Sequence, residues 1–266
     1  MTERRCIFTV TTGRSGTGFL AYLLSELRHT ISRHEPSPAY DECMRRVQSD
    51  PQWATDFLLS RKLPAIREAW AAAPIYVETT HVFCKGFLEP WLALPDVPVP
   101  DVILLDRPAR EVALSMLRLM SIPGRTKAGL RWYLSPADPS CLTALPDWEQ
   151  LHDYQLCYWY CLEMEHRKQH YAELVATFGG RSVRTSIEEL KTDRGFRRLR
   201  RALDLPGLSP IGWVRATLKR RRTVNSRPDE KVRLTYGQCE LQAFEEEVEC
   251  RLKRRLKPST TEQCTT

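Results

Sequence analysis

Residues 6–24 constrain the fold more than any other stretch of this chain. Cys6-Ile7-Phe8-Thr9-Val10-Thr11 is an apolar, β-branched run, Thr12-Gly13-Arg14-Ser15-Gly16-Thr17-Gly18 is glycine-rich, and Phe19-Leu20-Ala21-Tyr22-Leu23-Leu24 starts an amphipathic helix. A strand that turns tightly into a helix points the unpaired amides of the helix start, and the positive end of its dipole, at whatever lies beyond the strand. Glycine lets that backbone approach an anion with no Cβ in the way. Arg14 adds a fixed cation, and Ser15 and Thr17 add hydroxyl donors. The segment therefore predicts a phosphate-binding loop. Nucleotide hydrolases end such a loop Gly-Lys-Ser/Thr, so that Lys reaches the outer phosphates and the hydroxyl holds magnesium. Here Phe19 follows Gly18 and the loop has no Lys.

Strands and helices alternate along the rest of the chain. Residues 30–33 read as a second strand ending at His34-Glu35-Pro36, residues 39–72 as helical with a break near Asp50-Pro51, and residues 74–80 and 101–105 as two further strands. Compact apolar runs of this kind suit a buried parallel sheet. Pro108 opens a helix reaching Met120, and residues 121–150 read as a long loop of the sort that forms a lid or binding segment. A long aromatic helix over 151–178, a strand over 181–185, a helix cap at Ser186-Ile187-Glu188-Glu189 and helices over 192–203 and 236–256 complete the pattern. The expectation is an α/β three-layer sandwich with a central, mostly parallel sheet and ligands at the carboxyl ends of its strands. One domain over 1–256 and a tail over 257–266 are expected.

The 266 residues suffice to bury a core without disulfides. Nine scattered cysteines, odd in number and without a CxxC pair, argue against a disulfide framework and a zinc site. Reduced thiols imply a cytoplasmic protein, and a first strand from about residue 5 leaves no room for a signal peptide. No apolar run approaches the roughly 20 residues needed to cross a bilayer. A net charge of +7 favours an anionic partner.

A second anion site is expected where Leu104-Leu105-Asp106 carries Arg107 out of the fourth strand. Ser115 follows about two helical turns later. An Arg at the strand exit and a Ser on the adjoining helix can grip one anion from two sides. Together with the first loop they fit a nucleotide carrying two separate phosphates.

On these motifs the chain resembles sulfotransferases that use 3′-phosphoadenosine 5′-phosphosulfate (PAPS) and release the 3′,5′-bisphosphate (PAP). Arg14-Ser15-Gly16-Thr17-Gly18 is similar to that family's 5′-phosphosulfate loop, and Arg107 with Ser115 to its 3′-phosphate motif. Phe19 stands where cytosolic members place a Trp against the adenine. Arg184 to Leu190 is similar to a segment at a later strand end. The basic run 219–227 resembles a loop that closes over the nucleotide, which brings in Arg221 and Arg222. The resemblance implies transfer of a sulfuryl group to a hydroxyl or amine of a small-molecule acceptor, with no metal and no membrane. Arg14 would clamp charge on the leaving oxygen, since a guanidinium does not give up its proton.

Three residues compete as the base. Thr79-Thr80-His81 resembles the site of the base His in cytosolic members, Glu35 the Glu of Golgi-type members, and His34 could act itself or orient Glu35. A free His titrates near 6.5 and a free Glu near 4.3, so chemistry leans to His81 and spacing to Glu35. Trp132, Tyr133 and Trp148 are candidates for the acceptor's surroundings. Two other readings remain. Val102 to Asp106 resembles the strand-plus-Asp of phosphate-loop kinases, which also need the missing Lys and Ser/Thr. The clusters Arg197-Arg198, Arg200-Arg201 and Lys219 to Arg222 suggest a basic nucleic-acid-binding module, without a recognised nucleic-acid motif.

Overall fold

The computed structural model describes residues 3–220 and 235–256. Arg221, Arg222 and the tail over 257–266 lie outside the described residues. Five strands form one sheet: β1 (Arg5–Val10), β2 (Thr30–His34), β3 (Ile75–Thr79), β4 (Asp101–Asp106) and β5 (Ser182–Ser186). Their order is β2-β3-β1-β4-β5, and every pairing is parallel. Between them run α1 (Thr17–Leu24), α2 (Met44–Ser49), α3 (Gln52–Phe57), α4 (Leu63–Ala72), α5 (Leu88–Ala93) and α6 (Ala109–Arg118). Then come α7 (Lys127–Trp132), α8 (Asp153–Thr177), α9 (Ile187–Leu190), α10 (Asp193–Ala202), α11 (Pro210–Arg220) and α12 (Gln238–Leu256).

The layers follow from side chains alternating across each strand. Cys6, Phe8 and Val10 of β1, with Tyr76, Val102 and Leu104, face a core shared with α2 to α6, α8 and α12. Ile7, Val77, Ile103, Leu105 and Val183 face the opposite core, filled by Phe19, Leu20 and Leu23 of α1 and by Phe196 and Leu199 of α10. Helices thus cover both faces of the sheet, which is the expected three-layer α/β fold. The strands are wholly parallel rather than mostly so.

Three expectations need correction. Residues 121–150 are not one loop: Thr126 caps α7 by accepting from the Gly129 amide at 3.0 Å, and Trp148–Gln150 forms a 3₁₀ turn. The segment is also fastened to the body. Arg45 donates to Asp138 at 2.5 Å and to the Tyr133 carbonyl at 2.7 Å, and buried Glu163 accepts from the Thr143 amide at 2.7 Å. The basic run from Lys219 begins inside α11, a helix not expected from the sequence. Lys219 pairs with Glu26 at 2.5 Å and Arg220 with Asp193, both cations being buried, so these two charges have internal partners. Helix α5 was also not expected, because its six residues over 88–93 include Pro90 and offer no side-chain cap.

A single π turn at Leu58–Lys62 interrupts the helical run between α3 and α4 and carries Lys62 inward. Its Nζ lies 2.8 Å from Glu78 Oε1 and 3.3 Å from the Pro36 carbonyl, while Tyr76 donates to Glu78 Oε2 at 2.7 Å. Burial pushes the Glu78 carboxyl up and the Lys62 ammonium down, and their mutual attraction opposes both shifts. Removing one member of such a buried pair strands the other. Lys62→Met is therefore expected to cost about 3–5 kcal/mol, read as a lower urea midpoint at unchanged slope. A loss below about 1 kcal/mol would show that the pair does not anchor this face.

Candidate active site

The carboxyl ends of four strands open onto one cavity of about 320 Å³. Each delivers a side chain to it: Arg14 after β1, His34 and Glu35 at the end of β2, His81 after β3 and Arg107 after β4. Gly16 and Thr17 line its floor, and Leu119, Ser121, Trp132 and Tyr133 form the facing wall.

The loop after β1 takes its shape from three left-handed residues, Gly13 (φ 80°), Arg14 (φ 55°) and Gly16 (φ 87°). Two of these positions are glycine for a steric reason as well. A Cβ on Gly13 would sit 2.9 Å from His81 Cγ, and one on Gly16 would sit 2.6 Å from Ile187 Cγ1. The Ser15 hydroxyl lies 2.7 Å from that of Thr12 and donates to the Gly13 carbonyl at 2.9 Å. It holds the turn and does not face the cavity. Gly16 caps α1 without a side chain, the first turn contains no acid, and the first amide paired to Gly16 is that of Leu20 at 3.1 Å. The amides before Leu20 are thus the orphan donors expected at a helix start.

Arg14 and Arg107 bind the loop to the β4 end. Arg14 Nε donates to Ser115 Oγ at 3.2 Å, so the side chains expected at two separate anion positions are in contact. Arg107 Nη1 donates to the Arg14 carbonyl at 2.5 Å and its Nε to Glu111 at 3.1 Å. Gly18 and Phe19 do not line the cavity. Phe19 is buried in the core beneath α1 and offers no ring face to a base. Trp148 packs beside Gly124, away from the cavity, whereas the Trp132 and Tyr133 rings lie 5.7 Å and 5.5 Å from the His81 ring. The neighbouring Asp106 is held by Lys168 at 2.5 Å and Arg184 at 2.6 Å. Its carboxylate is committed to cations, unlike the magnesium-holding Asp of a kinase.

The three base candidates meet around Glu35, which takes a left-handed backbone at φ 44°. Its Oε1 is 3.6 Å from His81 Nε2 and its Oε2 is 3.9 Å from His34 Nε2. His34 Nδ1 lies 2.8 Å from the Thr79 carbonyl. Sequence reasoning missed a fourth member. Lys85, fully buried on the turn after β3, lies 2.8 Å from His81 Nδ1 and donates to the Trp132 carbonyl. Burial pulls its ammonium down to about 7. Burial, then the charges of Lys85, His34 and Arg14, hold the His81 imidazolium well below 6.5. The available signal was a Lys one helical turn after His81, following Val82-Phe83-Cys84.

No protein-family model matches this chain, and no curated protein matches it. Among solved structures it is similar to a sulfotransferase domain from the curacin biosynthetic pathway, with a TM-score of 0.55 at 12% identity. The similarity covers 94% of this chain and 99% of that one. At that identity the likeness shows the fold.

The depressed His81 value carries a stability consequence of definite sign. Below its ordinary 6.5 the unfolded chain takes up a proton that the folded chain refuses, so stability falls as pH falls through that value. The urea midpoint is expected to be lower at about pH 5.5 than at about pH 7.5, with the difference smaller in His81→Gln. An equal difference in both proteins would remove His81 as its source.

Proposed function

We propose that this cavity transfers a sulfuryl group from PAPS to a hydroxyl or amine of a small acceptor. The observation that carries the reading is convergence. A glycine-shaped anion loop with Arg14, a second Arg from the next strand and a carboxylate–imidazole pair open on the same 320 Å³ space. The likeness in fold to a sulfotransferase domain supports it.

In this reading the amides at the start of α1 and the Arg14 guanidinium hold the 5′-phosphosulfate. Arg107 and Ser115 hold the 3′-phosphate. Arg107 spends two of its five N–H donors on Glu111 and the Arg14 carbonyl, which leaves its others for an anion. The acceptor lies against Leu119, Trp132 and Tyr133 with its hydroxyl toward the Glu35–His81 pair. Its oxygen forms a bond to sulfur as the bond between sulfur and the bridging oxygen breaks. The acceptor's proton passes to the pair, and the electron pair of the broken bond leaves on the 5′-phosphate of PAP. Arg14 stabilises charge where it develops, on that bridging oxygen. The nucleic-acid reading draws less support, because Arg198 is bonded to Glu189 at 2.6 Å and Arg200 to the Pro206 carbonyl at 3.0 Å.

A ligand that binds only the folded chain stabilises it by about 2.7 kcal/mol at a hundredfold excess over Kd. PAP is therefore expected to raise the thermal midpoint far more than AMP or ATP, and Arg107→Ala to erase that preference. Equal protection by the three nucleotides would overturn the reading. With PAPS and a turned-over acceptor, Glu35→Gln is expected to slow single turnover by about 10²–10⁴-fold while PAP still protects.

A further inference from the structure

Lys85 is explained neither by anion binding nor by packing. An ammonium is costly to bury, and this one is fully enclosed. Its surroundings come from several elements. The Tyr133 and Tyr160 rings have centroids 5.0 Å and 5.2 Å from Nζ, and Glu35 after β2 attracts it. Arg45 of α2 and Arg167 of α8 repel it, while Cys84 and His81 adjoin it on its own turn. The Gln48 side chain donates to the Lys85 carbonyl at 2.8 Å, and Arg167 donates to the Cys84 carbonyl at 3.1 Å. The turn is therefore held from both sides, and Nζ is aimed at His81 Nδ1.

A protonated amine has three donors and no lone pair. At 2.8 Å from a charged Lys85, Nδ1 of a neutral His81 must accept, so the ring hydrogen sits on Nε2. That nitrogen faces Glu35 Oε1 at 3.6 Å. The Thr79 carbonyl accepts only, so His34 Nδ1 gives its hydrogen to Thr79, while its Nε2 lies 3.9 Å from Glu35 Oε2.

We propose that Lys85 is a positioning residue that fixes the tautomer of His81, so that His81 turns an N–H toward Glu35 and the acceptor's proton goes to Glu35 rather than to His81. The role of Glu35 as proton acceptor rests on the sulfuryl-transfer reading; the tautomer of His81 does not. The acceptor's O–H bond breaks and an O–H bond forms on Glu35, while the bonds to sulfur change as in the transfer above. The proton leaves the acceptor oxygen and arrives on Glu35, with His34 Nε2 beyond it and the His34 side chain 37% exposed as a route to solvent.

The test is nitrogen NMR on the full chain labelled with ¹⁵N-histidine, with and without PAP, at about pH 6 and upward. In the native protein His81 is expected to remain neutral, with Nδ1 unprotonated and accepting and with the hydrogen on Nε2. As pH rises through about 7, where Lys85 discharges, the Nδ1 resonance is expected to move while the ring gains no charge. Lys85→Met should abolish that step, a spectroscopic change that a merely structural lysine would not produce. Lys85→Arg keeps a permanent donor and should hold Nδ1 in its accepting state across the range. A hydrogen on Nδ1 in the native protein at about pH 6 overturns the proposal. So does survival of the step in Lys85→Met, or in Lys85→Arg should the Met variant fail to fold. PAP failing to protect would instead sink the sulfuryl-transfer reading and leave the tautomer assignment standing.

Discussion

Strand β1 is hydrogen-bonded along both edges, to β3 on one side and to β4 on the other, and the geometry of the cavity follows from that constraint. Because all neighbours run parallel, the chain leaves β1, β3 and β4 at the same edge of the sheet, within two strand spacings of one another. Whatever follows these strands must share a small volume. The loop after β1 therefore turns against the His81 ring, so closely that a Cβ at Gly13 would meet it at 2.9 Å. On the other side the same loop is tied to β4 through Arg107 and the Arg14 carbonyl. The glycine-rich loop and a base candidate come together because they leave β1 and β3, two adjacent parallel strands, at the same edge.

Beneath the cavity, buried Lys62 and Arg167 and half-buried Arg45 act as rivets between turns that carry no regular hydrogen bonding. Lys62 joins Glu78 in mid-β3 to the Pro36 carbonyl, one residue past Glu35. Arg167 joins Glu163 at 2.7 Å to the Cys84 carbonyl, one residue before Lys85. Arg45 joins Asp138 to the Tyr133 carbonyl on the cavity wall. Each cation has a carboxylate partner and spends a remaining donor on backbone, the arrangement in which a buried charge costs least. The positions of Glu35, Lys85 and Tyr133 are thus coupled to a polar framework that is costly to disturb. Among the described residues these contacts pre-shape the cavity, and they account for residues 121–150, which the sequence presented as a lid or binding segment and the structure fastens to α2 and α8.

The parts legible in the sequence are those whose signal is local. The run into Gly13-Arg14, the compact apolar strands and the polar residues just beyond them at His34-Glu35, His81 and Arg107 could all be read from spacing, because parallel strands expose their carboxyl ends together. The missed or misjudged parts depend on contacts distant in sequence. Phe19 looks available to a nucleotide until α1 is laid on the sheet and its ring falls into the core. Lys219 and Arg220 read as part of a basic loop until Glu26 and Asp193 arrive from elsewhere in the chain. Lys85 is a surface lysine by composition; only the approach of Tyr133, Tyr160 and His81 makes it a buried donor whose protonation matters.

The charges around the cavity also bear on why a carboxylate should stand so near the proposed anion site. Arg14 and Arg107 line it, Lys85 lies behind His81, and among the described residues Glu35 is the one acidic side chain on its wall. In the proposed transfer the bound ligands together gain one negative charge, since a neutral acceptor becomes a sulfate ester while the bisphosphate departs. Glu35 loses one negative charge in the same step by taking the acceptor's proton. The sum seen by the guanidiniums is therefore the same before and after, and they need not reorganise as the reaction proceeds, which is where preorganised sites gain most over water. An imidazole base would conserve the same sum, but by creating a cation beside Lys85 in a buried site, the state that burial and the ammonium both oppose. The same electrostatics that disfavour a charged His81 leave it suited to a different task, holding a neutral N–H against the carboxylate.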